Sequence, residues 1–259
     1  MKRRQVIRYM QSGLLAAATT AIATRAGVSQ AQTNNSLSVR WLGHTCFLFS
    51  GGGKKILVNP FRPAGCTAGY RTPTADADLV LVSSLLLDEG NLEELPENQK
   101  LLFEPGAYRL GNLQFQGIKT DHDDRGGRQF GTNIVWGWTQ AGVKILHLGG
   151  AAAPIDFDQQ ILMGRPDVLL LPVGGGPKAY NPEEAVAAME LLSPKIVIPT
   201  HYRTQAADET TCDIQPLDDF LALVGDKEVR RVGNDTMSFS PRDLPETGTA
   251  IVVLSYQFS

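Results

Sequence analysis

Short stretches of alternating apolar and polar residues dominate the N-terminal half of the chain, and this pattern predicts β-strands. Gly43 and the all-glycine run 51–53 separate the first of these stretches and mark turns. The solid apolar run 79–82 is typical of a strand that is buried on both faces. The strands predicted in this half span residues 37–42, 45–49, 55–58, 79–82, 101–103, 108–110 and 113–118.

The C-terminal half combines further strands with two helices. Asn181 is a favourable N-cap, Pro182 suits the first helical position, and the two glutamates that follow suit the positive end of a helix dipole. An apolar stripe then runs to Leu192, where a Ser-Pro pair ends the helix. Residues 216–224 predict the second helix. The strands predicted in this half span residues 134–139, 143–148, 168–171, 196–198, 229–232, 237–239 and 251–254.

This distribution of elements favours an α/β (α+β) fold in which two sheets pack face to face with helices outside. No linker or low-complexity segment separates the two halves, so we expect a single domain over residues 32–259. The net charge of −3 gives no basic surface, which argues against a nucleic-acid partner. The sequence leaves the oligomeric state open.

The first 31 residues have the pattern of an export signal. Arg3 and Arg4 form a basic pair, the run 13–23 is moderately apolar, and residues 29–31 resemble a cleavage site. We therefore expect a twin-arginine-type signal peptide over 1–31 and a mature protein in the periplasm or an equivalent lumen. An uncleaved membrane anchor and a basic tail stay open as alternatives. The apolar run is shorter than the roughly 20 residues of a membrane-spanning helix, so no stable span is expected in the mature protein.

The three cysteines allow at most one disulfide bond within the chain. Cys46 lies in an apolar strand pattern and is expected in the core. Cys66 and Cys212 lie in loops, and an exported location would permit a bond between them. The sequence does not decide whether that bond forms.

Five segments, taken in order along the chain, resemble the metallo-β-lactamase-fold hydrolase superfamily, and most closely its ascorbate-6-phosphate lactonase-like branch. They are residues 39–48 (VRWLGHTCFL), 56–61 (ILVNPF), 78–89 (DLVLVSSLLLDE), 145–150 (ILHLGG) and 173–202, which ends in KIVIPTHY. The resemblance covers nearly all of the mature chain. It implies a four-layer αββα sandwich and a hydrolytic site at the ends of the strands.

The same resemblance implies a binuclear zinc site with about seven protein donors. The residues of this chain at those seven positions are Ser84, Leu86, Asp88, Glu89, His122, Gly150 and His201. Only Asp88, His122 and His201 keep the donor type of the family, while Glu89 offers a different one. Leu86 and Gly150 have no donor side chain, so a binuclear zinc site is not expected.

We therefore expect either no metal or one transition-metal ion (Zn, Mn or Fe), held by Asp88, His122, His201 and Glu89. Ser84 and His44 complete the candidate cleft, with His44 expected to make structural hydrogen bonds. His147, inside an apolar strand, is expected to be a hydrogen-bonded core histidine. The sequence leaves the catalytic residues unassigned.

Two functions are compatible with this depleted ligand set. The first is an exported protein with lost or altered catalysis, a pseudoenzyme that binds a small molecule or a partner in the former cleft. The alternative is a metal-dependent hydrolase of an ester, lactone or phosphoester with a single non-standard metal site. A serine hydrolase is disfavoured, because the chain has no G-x-S-x-G nucleophile elbow.

Overall fold

The computed structural model describes residues 36–258, so the predicted signal peptide over 1–31 lies outside the described residues. Its strands are β1 (Leu37–Gly43), β2 (Cys46–Gly51), β3 (Lys54–Val58), β4 (Leu79–Leu81), β5 (Leu101–Leu102), β6 (Gly106–Leu110), β7 (Leu113–Asp121), β8 (Thr132–Gln140), β9 (Val143–His147), β10 (Val168–Pro172), β11 (Ile196–Thr200), β12 (Val229–Arg231), β13 (Thr236–Phe239) and β14 (Ala250–Val253). Its helices are α1 (Phe157–Met163), α2 (Pro182–Leu192) and α3 (Leu217–Leu221). Every strand predicted from the sequence is present.

The strands form two sheets. The six-stranded sheet has the order β13-β1-β2-β3-β4-β5, and the eight-stranded sheet has the order β12-β14-β11-β10-β9-β8-β7-β6. In the first sheet β1, β2 and β3 are antiparallel neighbours, and β4 runs parallel to β3. In the second, β7, β8 and β9 are antiparallel neighbours, and β10 and β11 run parallel to β9. The carboxyl ends of β1, β3 and β4 therefore lie along one strand edge of the six-stranded sheet. The carboxyl ends of β7, β9, β10 and β11 likewise lie along one strand edge of the eight-stranded sheet.

Aromatic residues of both sheets pack between them. The rings of Phe49 on β2 and Trp138 on β8 meet edge to face with centroids 4.9 Å apart. Trp136 is fully buried, and its indole nitrogen donates a hydrogen bond to the carbonyl of Val82, 3.1 Å away. Because this bond joins the eight-stranded sheet to the end of β4, it fixes how the two sheets meet beside the strand edge.

The helices correct the sequence prediction at two places. Helix α2 begins as predicted, with the Asn181 side chain accepting a hydrogen bond from the backbone N–H of Glu184 at 2.8 Å. Helix α3 is shorter than the predicted 216–224. Helix α1 was not predicted, because Phe157 and Ile161 are exposed and leave no inward apolar stripe in its sequence. A capping box at Asp156 begins it instead.

The outer face of the six-stranded sheet is covered differently from that of the eight-stranded one. Helices α1 and α2 contact β7 and β10 of the eight-stranded sheet. On the six-stranded sheet, a smaller apolar cluster that includes Leu57, Phe61 and Tyr70 packs under loops, one of which contains a single 3-10 turn. Among the described residues, the two outer layers of the expected sandwich are therefore unequal.

Cys66 and Cys212 form a disulfide bond, which settles the point that the sequence left open. The bond joins the loop after β3 to the loop after β11, across a separation of 146 residues. Cys46 is a buried free thiol, as expected from its strand pattern. Both bonded cysteines lie in loops that leave the strand edge carrying the candidate cleft.

Within residues 36–258, no helix has the length and apolar character that crossing a bilayer requires.

Candidate metal centre

Loops that leave the shared strand edge carry the predicted cleft residues and bring them together. His44 follows β1, Asp88 and Glu89 follow β4, His122 follows β7, and His201 follows β11. The four residues other than Asp88 are at most 3% exposed. Since the loops come from opposite halves of the chain, the cluster depends on the packing of the two sheets.

The first part of this cluster is a three-donor group formed by His44, Asp88 and His201. One ligand atom from each lies within 4.8 Å of the others, and the two imidazole centroids are 4.3 Å apart. His44 Nε2 and His201 Nδ1 are buried and have no hydrogen-bond partner among the described residues. Unpaired buried nitrogens are costly unless a ligand satisfies them, so their arrangement favours a bound cation.

Strained backbone positions both histidines of the three-donor group. His44 has φ 51° and His201 has φ 52°, in the left-handed region that residues other than glycine rarely adopt. Such conformations persist where the surrounding structure enforces them, and they concentrate at functional sites. The strain turns both imidazoles toward Asp88 at the strand ends.

The structure places His44 in a donor group to which the sequence analysis did not assign it, since only structural hydrogen bonds were expected from this residue. Its Nε2 makes none among the described residues, and it completes the three-donor group that His122 and Glu89 were expected to complete. The Gly-His-Thr turn at the end of β1 was the available signal. It could not show that the ring faces His201, which is far away in the sequence.

The second part of the cluster is a neutral pair formed by Glu89 and His122. His122 Nε2 lies 3.5 Å from Glu89 Oε2, which also accepts a hydrogen bond of 3.1 Å from the Ser84 hydroxyl. Burial, helped by the neighbouring charge of Asp88, raises the pKa of Glu89 to about 8. Burial lowers the pKa of His122 to about 4. At neutral pH Glu89 therefore keeps its proton and His122 is uncharged.

Lys178 is the functional residue that sequence reasoning missed. It lies in the loop between β10 and α2, and its ammonium group forms an ion pair with the Asp88 carboxylate. Burial by itself raises the pKa of Asp88, but the charge and hydrogen bond of Lys178 help to outweigh that effect and lower it to about 2. Asp88 is therefore the ionised carboxylate of the cluster. A lysine in a glycine-rich loop carries no spacing signal that points to this contact.

Position 150 lacks a donor side chain and also lacks the space for one. A Cβ atom at this position would lie 2.2 Å from His122 Nε2 and 2.9 Å from the backbone oxygen of Lys178. The space beside Gly150 is thus filled by the His122 ring and by the Lys178 backbone. An aspartate could not enter there without moving both.

The loop that carries His122 is closed around Asp123. The Asp123 carboxylate accepts hydrogen bonds from the backbone N–H groups of Arg125, Gly127, Gln129 and Phe130, at 2.8 to 2.9 Å. Burial acts against its ionisation, but these four donors outweigh that effect and lower the pKa of Asp123 to about 2. The loop is thus ordered around a buried anion, and this order holds His122 toward Glu89.

His147 has the structural role expected of it. Its Nε2 lies 3.0 Å from the carbonyl oxygen of Thr45, and its Nδ1 accepts a hydrogen bond from the backbone N–H of Gly149 at 3.0 Å. Both ring nitrogens are satisfied and the residue is fully buried. His147 therefore braces the loop before Gly150 and is not part of the three-donor group.

A surface groove of about 500 Å³ lies beside the cluster. Ser84 belongs to both, since it lines the groove and its hydroxyl donates to Glu89. The other residues that line the groove are Ser83, Leu85, Leu86, Phe103, Pro105, Lys119, Phe130, Thr132 and Ile134. Its volume falls within the range of small-molecule sites.

The comparison with protein families agrees with this arrangement. Residues 38–201 match the model of a β-lactamase superfamily domain, a stretch that runs from β1 to His201. The chain belongs to the metallo-β-lactamase superfamily. The two packed sheets and the position of the donor-bearing loops at the strand ends are those expected from the sequence resemblance.

Relatives within the superfamily carry the name UPF0173 metal-dependent hydrolase. One from Thermococcus onnurineus is 30% identical over 219 residues, covering 74% of this chain and 93% of the relative. Another, from Thermus thermophilus, is 29% identical and covers 65% of this chain and 84% of the relative. The names of both state a metal-dependent hydrolase, without a substrate.

Solved structures of the superfamily resemble the chain as well. A protein from Thermotoga maritima, assigned to the Zn-dependent hydrolases of the superfamily, superposes with a TM-score of 0.66 at 30% identity, covering 85% of this chain and all of that one. An isothiocyanate hydrolase from Delia radicum gut bacteria superposes with a TM-score of 0.54 at 12% identity, covering 71% of this chain and 90% of that one. At that identity the second likeness shows the fold alone.

The residues present fit one metal ion better than the superfamily's pair. The three-donor group supplies two imidazoles and one carboxylate with unpaired buried nitrogens. Toward a second ion, Leu86 and Gly150 offer no side-chain donor, and Glu89 is protonated and engaged with Ser84. The chain therefore departs from a binuclear site and keeps one group of three donors.

Proposed function

We propose that this protein is a metal-dependent hydrolase that uses a single ion held by His44, Asp88 and His201. The observation that carries the proposal is the approach of the three donors to within 4.8 Å of one another. The sequence analysis gave a pseudoenzyme with lost catalysis first and a metal-dependent hydrolase as the alternative. The names of the relatives support the hydrolase better.

The protonation states of the donors suit metal binding. Burial lowers the pKa of His44 to about 4 and that of His201 well below its usual value, so both imidazoles are neutral and offer lone pairs. Asp88 is ionised. A bound Zn, Mn or Fe ion would act as a Lewis acid and would lower the pKa of a bound water molecule.

Glu89 is placed to act as the general acid. It keeps its proton at neutral pH because it is buried beside Asp88, and its Oε1 has no hydrogen-bond partner among the described residues. A carboxylic acid with a pKa near the working pH transfers protons efficiently to a leaving group. Ser84 and His122, which contact Oε2, hold the carboxyl group in place.

The groove favours an ester or lactone with an apolar arm over a phosphoester. Six of its ten lining residues are apolar: Leu85, Leu86, Phe103, Pro105, Phe130 and Ile134. A phosphoester would need cationic or metal contacts for its charge. Among the residues that line the groove, Lys119 alone carries a positive charge, and Lys178 is engaged by Asp88.

Metal analysis and an ester series test the proposal together. The mature protein, loaded with Zn²⁺, Mn²⁺ or Fe²⁺ and desalted, should retain one equivalent and should hydrolyse nitrophenyl esters of medium acyl length faster than nitrophenyl phosphate. Asp88→Asn and His201→Ala should lose the metal, whereas Asp76→Asn, which alters an almost fully exposed aspartate, should keep it. Less than about 0.1 equivalent in the folded wild type would refute the proposal.

A metal-free cleft that binds a small molecule is the second candidate. The ion pair of Lys178 with Asp88 and the packing of His122 against Gly150 favour it, because the ammonium neutralises the Asp88 carboxylate and the His122 ring fills the space beside Gly150 without an ion. The same metal analysis decides between the two candidates.

Export is a separate proposal. The disulfide bond between Cys66 and Cys212 supports it, since such bonds persist in oxidising compartments. Replacement of Arg3 and Arg4 by lysine should retain the precursor in the cytoplasm, measured by fractionation of cells that express the full chain. Unchanged export of the Lys-Lys variant would refute the twin-arginine route.

A further inference from the structure

The Lys178 ammonium lies beside Asp88, the carboxylate that a metal ion would bind in the three-donor group. Asp88 is the ionised donor of the three-donor group, and Lys178 is its ion-pair partner. The Asp88 side chain is 23% exposed and the Lys178 side chain 25% exposed, so both charges are largely withdrawn from water. A carboxylate in such a place is costly unless a positive charge neutralises it.

The backbone around Lys178 shows that this contact is built into the fold. Gly175 donates a hydrogen bond to the carbonyl of Tyr180 at 2.8 Å, and Tyr180 donates one to the carbonyl of Ala151 at 2.9 Å. The first bond closes the short loop that carries Lys178, and the second fastens the end of that loop to the loop after β9. The ammonium also lies 5.9 Å from the ring centroid of Phe130, within the range of a cation–π contact.

Lys178 and Gly150 belong to one packing arrangement. A Cβ at Gly150 would stand 2.9 Å from the Lys178 backbone oxygen, which is too close for the loop as it lies. With glycine at position 150, the loop places Lys178 at Asp88 without a clash, whereas a larger residue there would force the loop to shift. Gly150 offers no donor at a metal position of the superfamily, and Lys178 supplies a positive charge from the chain itself.

We propose that Lys178 is an internal cation that occupies Asp88 and competes with a metal ion for it. Any ion entering the three-donor group must first displace the ammonium and then remain near a second positive charge. This inference rests on the proposed function for the identity of the metal-binding group. It adds that the metal affinity of the chain is held low by a single side chain.

Zn²⁺ binding to the mature protein, measured by titration calorimetry and by competition with a chromogenic chelator, tests the inference. Lys178→Met keeps the length and the apolar stem of the side chain and removes the charge. We expect at least about tenfold tighter Zn²⁺ binding, a difference of about 1.4 kcal/mol. Lys119→Met, which removes an exposed charge from the neighbouring groove, should leave the affinity within about twofold.

A thermal readout covers the case in which Lys178→Met folds poorly. Without metal the variant should melt below the wild type, because Asp88 loses its partner, and Zn²⁺ should raise its melting temperature more than that of the wild type. Lys178→Gln serves as the second variant. Equal Zn²⁺ affinity in the wild type and in folded charge-removal variants would overturn the inference.

The outcomes separate the two proposals. Zn²⁺ binding by Lys178→Met but not by the wild type would support the internal cation and refute the metal-dependent hydrolase. Equal binding by both would support the metal centre and refute the competition. Binding by neither would refute both.

Discussion

At the scale of single residues, the site depends on histidines that the backbone holds under strain. His44 and His201 have left-handed φ angles, and their imidazoles lie side by side next to Asp88. His122 faces the same cluster from another loop but contacts Glu89. The three histidines therefore have different expected roles, although each was expected in the cleft.

The first prediction separates those roles by substitution. His44→Ala should reduce the affinity for Zn²⁺ by about 10- to 100-fold, because it removes one of three donors. His122→Ala should leave the affinity within a few-fold, since His122 lies outside the three-donor group. Equilibrium dialysis measures both. A loss confined to His122→Ala would restore the ligand set expected from the sequence, with Asp88, His122, His201 and Glu89.

The second prediction concerns the buried proton of Glu89. The pKa of Glu89 is raised from 4.5 to about 8 in the folded chain, so between these pH values the unfolded chain loses a proton that the folded chain keeps. The free energy of unfolding therefore falls as pH rises through this window. Below it, Glu89 is protonated in both the folded and the unfolded chain, so it causes no change of stability with pH. Glu89→Gln stays neutral at every pH. The difference in melting temperature between this variant and the wild type should therefore grow by a few degrees in favour of the variant as pH rises from 5 to 8.

The matched control is the exposed Glu93. Glu93→Gln should give the same small change in melting temperature at both pH values. A difference between Glu89→Gln and the wild type that does not change with pH would show that Glu89 is ionised in the folded protein.

At the scale of elements, the loop between β7 and β8 is ordered by one carboxylate. Asp123 binds four backbone N–H groups of this loop, and the side chain is 1% exposed. This closure holds His122 against Glu89. The sequence around it, rich in charge and glycine, indicated only a surface loop.

The third prediction follows from the lowered pKa of Asp123. Ionised Asp123 stabilises the folded chain above its ordinary pKa of 3.8, and this contribution is lost as pH falls toward about 2. Asp123→Asn, with one good acceptor in place of two, should lower the melting temperature by a few degrees at pH 7 and by less near pH 3. Asp124→Asn, an exposed neighbour, should have little effect at either pH. An equal effect of Asp123→Asn at both pH values would contradict this account.

The strands were predictable and helix α1 was not, for a physical reason. Strand predictions rest on alternation and on solid apolar runs, and β4, β10 and β11 are buried on both faces as their runs indicated. Helix α1 has an exposed apolar surface and is defined mainly by its capping box. A local cap without inward periodicity is a weak signal in a single sequence.

At the scale of the whole molecule, the disulfide bond ties together the loops on either side of the strand edge. The fourth prediction is that Cys66→Ser/Cys212→Ser lowers the free energy of unfolding by about 2–4 kcal/mol, because a bond spanning 146 residues restricts the unfolded chain. Denaturant unfolding with and without a reductant measures this loss. The reductant should destabilise the wild type and leave the double variant unchanged. Equal stability of the two oxidised proteins would contradict the prediction.

By itself, the sequence determined the two-sheet architecture, the family and the positions at which donor side chains are missing. The architecture follows from periodicity, and the family and the missing donors follow from the resemblance of ordered segments to the superfamily; both are properties of the chain read in order. Only the tertiary structure decided that His44 joins Asp88 and His201, that His122 fills the space at Gly150, and that Lys178 pairs with Asp88. Those contacts join loops far apart in the sequence, and the packing of two sheets determines which side chains meet at their shared edge.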